Sequence, residues 1–195
     1  MSLWAKITLL VAVEIAALTV MIVDKQWTLI TGTPIVLQTE PIDPRSLLMG
    51  DYVRLNYAIS HLRLDGENAI AGDKNFRSHD VVWVVLKPDP DGAKAVAVHH
   101  QRETIAPGLV VLKGEVIRFD ESEWDADSKR SSPREILQVR YGIEQYFVQE
   151  GTGRAIERPL ASEKLTILVA VDTRGKAGIQ ALLFNGRERY RETLF

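Results

Sequence analysis

One N-terminal transmembrane helix followed by a single mainly β domain is the architecture this sequence points to, and three observations carry it. Residues 7–23 form an apolar run, ITLLVAVEIAALTVMIV, interrupted only by Glu14 and two threonines. Downstream, apolar residues recur at every second position in short segments rich in valine, isoleucine and tyrosine, the period of a half-buried strand. The composition, 46% hydrophobic and 26% charged over 195 residues, belongs to a chain able to build a core rather than to a disordered one. This length suits one domain plus an anchor. We divide it into an anchor over residues 1–28 and an exported, mostly β domain over residues 29–195, folded as a sandwich or partly open barrel with one or two short helices.

The anchor comes first. Trp4 and Trp27 bracket the apolar run, and at a helical rise of ~1.5 Å per residue they stand ~34 Å apart, matching a bilayer core with aromatic rings at both interfaces. A cleaved signal peptide is the main rival, but such peptides carry an apolar region of roughly 7 to 15 residues followed by small residues at the cleavage site. Here MIVDKQW follows instead. A buried core helix fits less well, because apolar residues surround the segment rather than forming one stripe. Lys6 and the terminal amine on one side, against Lys25 on the other, tilt the positive-inside balance slightly toward an inward N-terminus. With the folded mass C-terminal to the run, a signal-anchor is expected, single-pass in a bacterial inner membrane, with the C-terminal domain periplasmic. Glu14, near the middle of the span, costs at least ~2.5 kcal/mol as a carboxylate unless it is protonated or paired. A contact with an intramembrane partner and a protonated carboxyl on a lone helix both satisfy that cost.

Strands are expected next. Ile35 and Leu37 alternate in PIVLQT, and Val53, Leu55 and Tyr57 alternate in YVRLNYAI. Val81 to Leu86, VVWVVL, is continuously apolar, as in a central strand buried on both faces. KPDPDG then places Asp91-Gly92 before the alternating residues Ala95 to His99, which reads as a hairpin. Further strands are expected over 109–117, 136–141, 145–148, 165–171 and 178–184, the last two joined by a turn over 172–176. Short helices are expected at DPRSLLMG, where Asp43, Pro44 and Gly50 fit the N-cap, first position and terminator, and at 153–158 before Pro159. The polar run over 120–134 reads as an exposed loop.

Residues 50–57 read GDYVRLNY. This segment resembles the signature of the GDYxxLxY family of bacterial membrane-associated proteins, and QWTLITGTPIVLQTEPIDPRSLLMG upstream and YGIEQYFVQEGTGRAIE downstream are similar to that family's neighbouring blocks. The likeness spans nearly the whole chain. It implies an N-terminally anchored envelope protein, often encoded beside a multi-spanning membrane protein, and it implies no particular chemistry.

Within GDYVRLNY, strand parity places Val53, Leu55 and Tyr57 on one face and Tyr52, Arg54 and Asn56 on the other, so Leu55 and Tyr57 are expected in the core. Gly50 as a helix terminator and Asp51 as an acceptor of turn amides is the commoner use of such residues. The functional alternative is a binding site of Asp51, Tyr52 and Arg54 with Glu144, Tyr146 and Glu150 from YGIEQYFVQE.

The remaining classes fit poorly. A net charge of -2 leaves no basic surplus for nucleic acid, and without cysteine there is no disulfide, thiolate metal site or cysteine nucleophile. A signal-peptidase-like serine/lysine hydrolase shares the anchor and exported β domain, yet Ile42 stands where that pattern carries its nucleophile, Ser46 is displaced, and nothing marks Lys74 or Lys87 as a base. His99 and His100 point to opposite faces of any regular strand, and DESEWDAD lacks the glycine and terminal glutamate of a calcium loop, so no metal and no cofactor is expected. The expectation is a non-catalytic membrane-anchored protein, either an accessory subunit of a multi-spanning partner or a binding module.

Overall fold

The computed structural model describes residues 2–40, 52–66, 69–125, 130–147 and 163–192. It consists of one N-terminal apolar helix followed by a mostly β domain with a curled half-barrel sheet. The helix α1 runs over Leu3–Thr31, with the Ser2 side chain accepting from the Ala5 N–H at 3.3 Å as its N-cap. Every large apolar side chain from Ile7 to Val23 is exposed, so nothing in the domain covers this stretch. It is long and apolar enough to cross a membrane.

Three sheets share one core. The first is antiparallel, in the order β1 (Thr33–Gln38), β10 (Leu165–Val171), β11 (Ala177–Phe184) and β12 (Arg187–Arg191). A two-stranded antiparallel sheet joins β2 (Tyr52–Arg54) to β9 (Gln145–Phe147). The third orders β3 (His61–Arg63), β8 (Arg130–Arg140), β7 (Val110–Asp125), β5 (Val81–Lys87), β6 (Lys94–His99) and β4 (Ala71–Gly72), antiparallel except where β4 meets β6. Two backbone bonds tie the larger sheets together. The Ala93 N–H, in the turn after β5, donates to the Val36 carbonyl at 2.7 Å, and the Lys113 N–H donates to the Gly175 carbonyl at 2.9 Å. Leu37, Leu55, Tyr57, Leu86, Leu112, Leu137, Ile167 and Phe184 lie at the centre of the common core.

The alternation in YVRLNYAI is seen directly: Val53, Leu55, Tyr57 and Ile59 are buried and Arg54, Asn56 and Ala58 exposed. The hairpins expected at Asp91-Gly92 and at 172–176 both form. One expectation is corrected. The run over 120–134 is not a loop throughout, because β7 and β8 extend through it in register, pairing Ser122 with Pro133 and Trp124 with Ser131. Ladder hydrogen bonds depend on the backbone and not on side-chain polarity, so an extended hairpin can carry a polar sequence outward. The short helices expected over 43–50 and 153–158 lie outside the described residues.

The end of α1 belongs to the domain. The helix continues past residue 28 to Thr31, and its last two turns lie on β10 and β11. Thr28 is 1% exposed, and its hydroxyl donates to Asp172 Oδ2 at 3.1 Å. Asp24 pairs with Arg174 at 2.7 Å and with Lys176, and Lys25 pairs with Glu192. Gln180 Nε2 donates to the Leu29 carbonyl at 2.7 Å. The approach is close enough that a Cβ at Gly178 would lie 2.7 Å from Leu29 Cδ2. Covered from this side as well as from the core, β10 is buried at six of its seven positions.

Candidate functional site

The two sequence blocks that carry the candidate residues meet. In the β2–β9 ladder Tyr52 opposes Phe147, Val53 opposes Tyr146 and Arg54 opposes Gln145. The contact continues past the strands, with the Leu55 N–H donating to the Glu144 carbonyl at 2.8 Å. Two tyrosines then lock the blocks in opposite directions: the Tyr57 hydroxyl donates to the Ile143 carbonyl at 2.6 Å, and the Tyr141 hydroxyl donates to the Ile59 carbonyl at 2.6 Å. Both rings are buried, and burial, followed by the nearby Glu144 carboxylate, holds both phenols well above their usual range.

Glu144 works as a turn clamp. Its carboxylate accepts the backbone N–H groups of Tyr141 and Gly142, the latter at 2.9 Å. Gly142 sits at φ +79, a backbone region costly for residues with a side chain, so the turn needs both the glycine and the carboxylate. Tyr146 points into the core at 9% exposure, where burial, then Glu192 and Tyr190, raise its phenol. Arg54 is exposed. Asp51 and Glu150 lie outside the described residues.

On the outer side of this clasp lies a groove of about 640 Å³, lined among others by Arg54, Asn56, His61, Gln138, Arg140 and Gln145. His61 opposes Gln138 in the β3–β8 ladder, which brings both side chains to the groove. Arg140 is paired with Glu115 at 2.9 Å, and His61 lies 3.5 Å from Glu40. Among the described residues Arg54 has no acidic partner. Of the residues singled out from the sequence, Arg54 and Glu144 line the groove, together with His61, Gln138 and Arg140, which were not singled out and reach it through pairings no local pattern reveals. The tyrosine lock was half visible, since a buried phenol needs a partner for its hydroxyl. Of the hydrolase candidates, Ser46 lies outside the described residues, and Lys74 pairs with Glu135 at 3.6 Å. Among the described residues no group of three His, Asp or Glu is placed to hold a metal ion.

The model of the GDYXXLXY protein family matches residues 14–182. The chain belongs to the GDYXXLXY family. The match begins in the middle of α1 and ends within β11, so the second half of the helix, the tyrosine lock and the groove fall inside it. No curated protein and no solved structure matches the chain. In this GDYXXLXY protein the final leucine and tyrosine of the signature are Leu55, 1% exposed, and Tyr57, fully buried. Those two positions of the signature are therefore explained by packing and by the lock to the second block, while Arg54, at one of its variable positions, faces the groove.

Proposed function

We propose that this GDYXXLXY protein is a non-catalytic, single-pass protein of the bacterial inner membrane, with its β domain on the periplasmic side, working as an accessory subunit of a multi-spanning membrane partner. The observation that carries the proposal is the division of α1. Its apolar stretch is bare, while the turns from Asp24 to Thr31 are built into the β domain through Thr28, Asp172, Arg174 and Lys176. A signal peptide removed near residue 25 would take Asp24 away from Arg174 and Lys176, so this packing supports an uncleaved anchor. The same junction supports a domain held at a fixed attitude to the span.

Glu14 supports the partner. It is exposed in the middle of the apolar stretch and has no bonding partner among the described residues, so in lipid its carboxyl gains from a polar group on another helix. Affinity purification from mild detergent tests this directly, using the wild-type chain and Glu14→Leu, both first checked for resistance to carbonate extraction. The expected result is one multi-spanning protein recovered with the wild type and depleted with the variant. Equal recovery would remove Glu14 from the contact, and recovery of no membrane protein by either chain would overturn the accessory-subunit reading.

A further inference from the structure

We propose that the groove beside the clasp binds the phosphate-bearing, anionic headgroup of a membrane amphiphile, with Arg54 as its principal contact and the amphiphile's apolar part lying along the domain end of α1. The inference rests on the anchored reading above and extends it to a ligand.

Two cavities share the turn that Glu144 clamps. The groove of about 640 Å³ and a second cavity of about 390 Å³ both count Gly142 and Gln145 in their walls. The second is bounded by Met21, Ile143, Ala177 and Ile179 and also by Asp24, Lys25, Lys176 and Glu192, which form two ion pairs, so it starts where the apolar run ends and sets apolar side chains beside paired charges. The first is polar. Each falls within the ~300–1,000 Å³ usual for small-ligand sites. Side by side they offer an amphiphile a few apolar side chains next to the end of the apolar run and a polar recess on the same Gly142 turn.

Charge selects the headgroup. His61 and Arg140 already face Glu40 and Glu115, and the Glu144 carboxylate is taken up by two backbone amides. Arg54 is then the groove cation without a counter-ion among the described residues, and a guanidinium presents paired N–H donors matched to phosphate oxygens. Asn56, Gln138 and Gln145 add amide donors beside it. A choline-type headgroup would put a second cation next to Arg54, whereas a glycerol phosphodiester would not.

Native mass spectrometry of the full-length chain in neutral detergent tests the site, with phosphatidylglycerol, phosphatidylcholine and free glycerol phosphate titrated separately. Phosphatidylglycerol is expected to bind at least about tenfold more tightly than phosphatidylcholine, and Arg54→Gln is expected to weaken it by roughly tenfold, the scale of one lost charge-assisted hydrogen bond. Gln145→Glu, at an exposed position shared by both cavities, should weaken it in the same direction. Equal binding of the two lipids, or indifference to both variants, would overturn the proposal. Glycerol phosphate binding as tightly as the lipid would overturn the amphiphile and leave a site for a free phosphate ester. Because the titration is done in detergent, loss of the anchored reading by carbonate extraction would be seen separately from loss of this site.

Discussion

Replacing Tyr57 by phenylalanine removes one oxygen atom from the centre of the fold. Tyr57 is 0% exposed and its hydroxyl donates to the Ile143 carbonyl at 2.6 Å. The ring can stay in place, so no large cavity opens and the cost is that of leaving a buried carbonyl without a donor, about 1–3 kcal/mol. For a domain of this size each kcal/mol corresponds to ~2–4 °C in melting temperature. A loss of ~4–8 °C is therefore expected for a mid-range cost of about 2 kcal/mol, read by intrinsic fluorescence during a thermal ramp of the full chain in detergent. Leu55→Ala, which empties a fully buried site, should cost about 2–5 kcal/mol and serves as the upper reference. A Tyr57→Phe melting point indistinguishable from wild type would refute the claim that the signature tyrosine holds the second block through its hydroxyl.

Two further outcomes follow from the same geometry. Tyr57 and Tyr141 are both held well above their usual range by burial and then by Glu144; a group whose folded pKa is raised contributes stability below its unfolded value and loses it as pH climbs. Unfolding should therefore become easier above the ordinary phenol value of about 10, with a shallower alkaline slope in Tyr57→Phe, measured by denaturant titration at stepped pH. At the helix junction, burial pushes Asp172 up, but Arg174, the Lys176 and Arg174 amides and the Thr28 hydroxyl outweigh it and leave the carboxyl below its usual range. Its stabilisation is present above about pH 4 and is lost as pH falls through the lowered value, and Asp172→Asn should mimic that loss. The expected readout is faster amide exchange over residues 24–31 with little change in β5 or β7, and a uniform effect across the domain would contradict a local role.

The legible parts of the fold were those encoded locally. Val53, Leu55 and Tyr57 were readable because one face of a strand is buried and the other is not, and Asp91-Gly92 was readable because few residues take that turn. The extension of β7 and β8 through a polar run was not readable, since composition reports on side chains and the ladder is made by backbone. The meeting of Arg54 with Gln145 joins residues far apart in the chain, and only the fold brings them to one groove. Glu144 shows a different limit of local pattern: a carboxylate beside tyrosines marks it as a site candidate, and only the fold shows that it also accepts the amides of the turn it closes. At the helix end, nothing nearby in sequence announces that Thr28 meets Asp172 or that Asp24 meets Arg174.

The absence of cysteine in the chain allows its placement across the membrane to be measured with engineered thiols. Ser2→Cys reports on the N-terminal end of α1, and Ser78→Cys reports on an exposed position of the β domain. In intact spheroplasts treated with a membrane-impermeant maleimide, Ser78→Cys should label at once and Ser2→Cys only after the membrane is opened, with both labels carried on a chain of full length. Labelling of both from the same side, or a mature chain from which the residue 2 thiol has been removed, would contradict an uncut helix that crosses the bilayer and ends inside its own β domain.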